Sequence, residues 1–139
     1  MAERSRVPWL SIVLTGLLAF VISMAVIAAV MAGYAFTLAM QAHGAPDPHS
    51  IEAFANRVIP LLGPLALSLL VLFAARRVVR RAKSPQLWHG VLVGVVAALP
   101  TLMFMRHPGL VDVVGLLLSP ASGLLGAFWV ISRRRAESV

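Results

Sequence analysis

From Val7 to Ala42 the chain carries no charged residue, although crossing the hydrocarbon of a bilayer takes only about 20 apolar residues. A stretch of this kind has few places to go in water. The whole chain has 139 residues, is 60% hydrophobic and only 12% charged, against about 25% charged in an ordinary soluble domain. A small domain buries a smaller fraction of its surface than a large one, so it has no interior able to hide this much apolar area. The reading is an all-α integral membrane four-helix bundle, a single domain over 1–139, in a plasma membrane and of a bacterial kind.

Four spans follow from the apolar runs. The first covers about 9–33 with an extension to 41 that either tilts or passes the outer headgroups. It is too long for the apolar core of a secretory leader, about 7 to 15 residues, and reads as retained. The second is 58–75, with Arg57 before it and Arg76 and Arg77 after it. The third is 86–105, opened by Ser84 as a cap and Pro85 at the first helical position, where no amide donor is needed. The fourth is 110–132, joined to the third by a tight Pro108-Gly109 connection. Between the first two spans, 43–57 reads as an outer loop. There Asp47 and Pro48 cap and open a short interfacial helix, and Pro60 turns the chain into the second span. The basic stretch 76–84 reads as a loop.

Orientation comes from the twelve Lys and Arg residues. Arg4, Arg6, Arg76, Arg77, Arg80, Arg81, Lys83, Arg133, Arg134 and Arg135 fall on one side, and only Arg57 and Arg106 on the other. This asymmetry predicts an up-down-up-down bundle with both termini in the cytoplasm. Trp9, Trp88 and Trp129 fall at the cytoplasmic ends of their spans, where an amphipathic indole is most stable. Arg76, Arg77, Arg80, Arg81 and Lys83 would attract anionic inner-leaflet lipid headgroups. The net charge of +7 is thereby assigned to topology, and no nucleic-acid partner is expected.

Helices in lipid gain nothing from the hydrophobic effect by touching, so small residues must let their backbones approach. Gly90, Gly94 and Ala98 repeat every four residues, as do Gly115, Ser119, Gly123 and Ala127; Ala25, Ala29 and Gly33 form a weaker series. They fit packing within one bundle or against a second copy or a larger membrane complex. Each of the last three spans contains proline. Pro64, Pro100 and Pro120 deprive the carbonyls of Pro60, Val96 and Leu116 of their helical donors, and Ser119 and Ser122 are placed to satisfy the last. Pro64, Pro100, Thr101, Ser119, Pro120 and Ser122 are therefore a candidate polar pocket, of the sort that interrupted helices build in transporters.

Chemistry is sparse. Without cysteine there are no thiolate sites, and no hydrolase, phosphate-loop or zinc-protease motif occurs. No ionisable residue falls near the midplane, where coupled carriers place them. His43, Asp47, His49, Glu52, His107 and Asp112 share the outer side and are candidate metal ligands, set against solvated loop residues. No cofactor and no catalytic residue is assigned. The leading expectation is a non-enzymatic accessory or scaffold subunit acting through helix packing. A small oligomeric transporter or channel, with its site near the proline-kinked outer half, is the second, and a metal-dependent membrane enzyme the third.

Overall fold

The computed structural model describes residues 9–82, 86–104 and 109–137. Four helices account for nearly all of them: α1 (Trp9–Ala42), α2 (Pro48–Arg81), α3 (Leu87–Phe104) and α4 (Leu110–Glu137). Three of these, α1, α2 and α4, are long and apolar enough to cross a membrane. The shortest, α3, has 18 residues, about 27 Å at 1.5 Å per residue.

α1 is rich in Ala, Leu and Met, all strong helix formers, and ends in a Schellman-type cap. His43 adopts a left-handed φ of 52°, and the Gly44 amide donates to the Ala39 carbonyl at 3.3 Å. Glycine is the usual occupant of that position, because a Cβ is strained there. Four residues later Asp47 caps α2 as its sequence foretells. Its carboxylate accepts from the amides of His49 and Ser50 at 3.2 and 3.1 Å and from the Ser50 hydroxyl at 2.8 Å, with Pro48 opening the helix.

α2 differs from expectation at both ends. It is one continuous helix of 34 residues that passes through Pro60 and Pro64, so no separate interfacial helix precedes it and Pro60 turns nothing. The rings of Tyr34 and Phe54 stack at 3.8 Å between centroids and 9° between planes. That contact draws the 48–58 segment against α1 and keeps the helix going. At the other end, Arg76, Arg77, Arg80 and Arg81 are helical rather than in a loop, and Arg133, Arg134 and Arg135 likewise extend α4. Charge marks where a chain must leave hydrocarbon, not where its hydrogen-bond ladder must stop. The expected cap at Ser84 and Pro85, and Pro108 of the α3–α4 connection, lie outside the described residues.

Large apolar side chains point outward and small ones inward. Leu61, Leu65, Leu69 and Phe73, one turn apart along α2, are exposed, as are Leu14, Leu18 and Phe128. The fully buried side chains are no larger than Ile12, Val71, Val79 and Val93, and Ser23, Ser119, Ser68 and Ser122 are buried among them. Every pair of helices is in contact except α1 with α4. Gly16 of α1 lies against Val93 and Val96 of α3. At equal rise the described end of α3 then falls level with about Val26, and α1 continues for roughly sixteen residues more, about 24 Å. The α1–α2 hairpin therefore overruns the other two helices.

Candidate functional site

Three places in the bundle combine unusual geometry with chemistry: the α3–α4 seam, the arginine-bearing end of α2 and α4, and a cavity between the helices.

Along the seam the two backbones touch. A Cβ on Gly90 would run into the Gly123 carbonyl, and one on Gly123 into the Gly90 carbonyl. A turn further on, a Cβ on Gly94 would stand 2.6 Å from both the Ser119 oxygen and the Pro120 Cα. Ser119 is fully buried and its hydroxyl donates to the Gly94 carbonyl at 2.9 Å. Ser122 donates to Leu118 at 2.8 Å, one turn back in its own helix. Neither serine satisfies Leu116, which corrects that expectation: Gly94 lacks a side chain, so its carbonyl comes close enough to take the Ser119 proton. Ala127 borders Gly90 and is buried, while a Cβ on Gly115 would stand 3.0 Å from the Pro64 ring. The sequence reading missed two close approaches: Gly16 at α3, and Gly126, whose Cβ would lie 2.5 Å from the Leu72 carbonyl of α2.

At the basic end, Trp129 gathers cations. The Arg76 guanidinium carbon lies 4.6 Å from the ring centroid and that of Arg133 at 5.4 Å, within cation–π range. Arg134 donates to the Arg80 carbonyl at 2.7 Å, satisfying one of the carbonyls that the last turn of α2 leaves without an amide. Two helix ends bearing like charges are thus held side by side. Lys83 lies outside the described residues.

The cavity, about 190 Å³ in volume, is lined by residues of all four helices. Phe20, Met24, Ile27 and Leu67 supply much of its apolar wall. Its polar contributors are Ser23, Thr101 and Asp112. Ser23 is 1% exposed and its hydroxyl has no hydrogen-bond partner. Asp112 is half-buried and one carboxylate oxygen accepts from the Gly109 amide at 2.9 Å, the return half of a capping box. Pro60 and Leu116 also line it, and these are two of the residues whose carbonyls proline deprives of a donor four positions on. Of the six residues proposed as a polar pocket, Pro64 and Thr101 border the cavity. Ser119, Pro120 and Ser122 belong to the seam and to α4 itself, and Pro100 borders an apolar surface groove with Leu17 and Met103. Ser23 was overlooked, although it is the one hydroxyl between Thr15 and Tyr34.

The proposed metal ligands do not gather. Among the described residues no three His, Cys, Asp or Glu side chains come together in a way that would hold a metal ion. Asp47 is engaged as a cap, where its hydrogen bonds from Ser50 and then His49 hold its carboxyl below the ordinary range. His43 closes α1, Glu52 and His49 are exposed on α2, Asp112 faces the cavity, and His107 lies outside the described residues. His89 is buried at the start of α3, with Nδ1 unpartnered among the described residues.

Compared with known proteins, the chain matches no family model, no curated protein and no solved structure.

Proposed function

We propose that this chain is a four-span protein of a bacterial plasma membrane, up-down-up-down with both termini cytoplasmic, and that it works without catalysis as a helix-packing subunit of a larger membrane assembly. The inverted distribution of side chains supports the first part. Leu and Phe outside with Ser and Gly inside is what lipid favours and water opposes. The order of contacts supports the alternation: Gly90 meets Gly123 and Gly94 meets Ser119, so α3 and α4 run oppositely, while Gly115 at Pro64 and Gly126 at Leu72 make α2 and α4 run alike. In that arrangement the arginines of α2 and α4 share the cytoplasmic face, where each contributes about 1 kcal/mol of attraction to anionic lipid headgroups.

The assembly reading is carried by the overrun of α1. Among the described residues nothing lies within 4 Å of where a Cβ on Gly33 would stand, and Val30, Phe36 and Met40 are exposed around it. The seam glycines are consumed inside the bundle, so this open stretch is the small-residue surface left for another membrane chain. The chain has no cysteine, so Gly33→Cys and Phe36→Cys each supply a single cross-linking site. In native membranes they should capture a stoichiometric partner, seen as a doubled mass for a second copy or as a distinct chain. A monodisperse single chain in mild detergent, with no cross-link from either position, would contradict the reading.

The cavity favours a second reading, a small transporter, with its site between Ser23, Thr101 and Asp112 rather than at the serines of α4. Flux of a solute through proteoliposomes that Thr101→Val and Asp112→Asn reduce would support it; equal flux in both variants would reject it.

A further inference from the structure

We infer that the four-helix cavity is a binding site for a small apolar amine in its ammonium form. The inference rests on the second reading in so far as both use this cavity, and it adds what the cavity recognises. Its size comes first. Engineered apolar cavities of about 150 Å³ hold benzene, so about 190 Å³ admits a single aromatic ring with a short tail. Its chemistry comes second. The polar side chains among its lining residues, Ser23, Thr101 and Asp112, carry oxygen and no nitrogen, and no described lining residue carries a cationic group. Pro60 and Leu116 also line it, and the proline four residues after each leaves its carbonyl without the usual helical donor. Acceptors outnumber donors on such a wall, so a ligand must bring N–H groups, and a positive charge fits the single carboxylate.

The apolar part of the ligand is demanded by Phe20, Met24, Ile27 and Leu67 opposite these oxygens. A bare metal cation would find oxygens on one part of the wall and hydrocarbon on the rest. An aromatic ammonium satisfies both halves. Asp112 carries the charge recognition, and we assign one N–H of the ligand to Ser23, a lining residue whose hydroxyl is shielded from solvent and unpartnered among the described residues. That hydroxyl is otherwise hard to account for, since a buried polar group without a partner is costly.

The test is equilibrium binding of radiolabelled 2-phenylethylamine at neutral pH to the full chain in phosphatidylcholine nanodiscs, with empty nanodiscs as the partition blank. Saturable binding of one equivalent is expected, displaced by unlabelled amine and not by propylbenzene, its neutral counterpart in shape. Asp112→Asn keeps an acceptor for the Gly109 amide, so the helix start survives, and should weaken binding about tenfold or more, as expected for a hydrogen bond to a charged group. Ser23→Ala should weaken it about three- to fivefold. Equal displacement by propylbenzene would overturn the inference, showing an apolar hole indifferent to charge. So would the absence of saturable binding to protein that remains helical and monodisperse, or affinity unchanged in Asp112→Asn. Binding without flux would support the site while rejecting transport; flux of another solute without amine binding would do the reverse.

Discussion

The α3–α4 seam and the cavity beside it both contain glycine, serine and proline, with opposite results. In the seam glycines face each other across the interface, Gly90 on Gly123 and Gly94 on Ser119, so the backbones meet and the serine hydroxyl is spent on the neighbouring helix. Around the cavity glycine faces something larger. Gly115 meets the Pro64 ring, and Gly63 has only the tip of Ile27, 3.7 Å from where its Cβ would be. The helices stand apart there, and Ser23 keeps an unpartnered hydroxyl. In the seam the small residues of both helices meet in register and the interface closes, whereas around the cavity larger side chains oppose the glycines and space remains.

The largest effect should come from breaking the seam. Gly90→Val places a branched side chain where even a Cβ meets backbone, and backbone cannot swing away as a flexible side chain would. A loss of about 3 kcal/mol or more is expected, read as detergent-induced unfolding at lower denaturant or failure to accumulate in the membrane. Gly63→Ala, the matching change at the cavity, should cost less than about 0.5 kcal/mol; equal losses would erase the contrast.

Next comes the hydrogen bond that joins the two helices of the seam. Ser119→Ala should cost about 0.6 kcal/mol and no more than about 1.7, the range for interhelical bonds in lipid. Ser23→Ala removes a hydroxyl with nothing to lose and should be neutral or stabilising by the same unfolding measurement. A larger loss at Ser23 than at Ser119 would reverse the comparison.

A smaller, opposite effect is expected outside the bundle proper. His43 holds a left-handed φ of 52°, and His43→Gly should stabilise by about 0.5–1 kcal/mol. No gain would mean that the cap strain is met by other contacts. The neighbouring cap gives the pH dependence. Asp47 has its pKa lowered in the fold by Ser50 and His49. Its contribution is therefore present above the ordinary aspartate pKa and is lost as pH falls through the lowered folded value. The Asp47→Ala variant should lack that acid-side loss, a difference to be followed by the unfolding midpoint against pH.

Much of this fold was legible because apolar length and arginine position are strong signals. Four helices, the Asp47-Pro48 start and the glycine series on α3 and α4 all follow from residue order. What escaped did so for identifiable reasons. The apolar run puts the second span at 58–75, yet hydropathy reports the medium around a segment while helix ends depend on caps, and α2 runs from Pro48 on to Arg81. The segment before the second span reads as interfacial in the sequence because the partner of Phe54, Tyr34, lies in another helix. The cavity was only half legible: Pro64 and Thr101 could be placed by depth, but Ser23 and Asp112 join them through the packing of α1 and α4 against α2 and α3, which no local pattern encodes. The candidate metal ligands stay apart among the described residues for the converse reason, as residues that share one side of a bundle need not be neighbours.

The account depends above all on three crossings separating the α1–α2 turn from the α2–α3 turn and returning the chain's end to the same face. In a cysteine-free chain this is measured by single cysteines at Gly44, Ala82 and Ala136, reacted with a membrane-impermeant maleimide in intact and opened cells. Gly44→Cys should react in intact cells, and Ala82→Cys and Ala136→Cys only after opening. Reaction of Gly44→Cys and Ala82→Cys from one and the same side would contradict it.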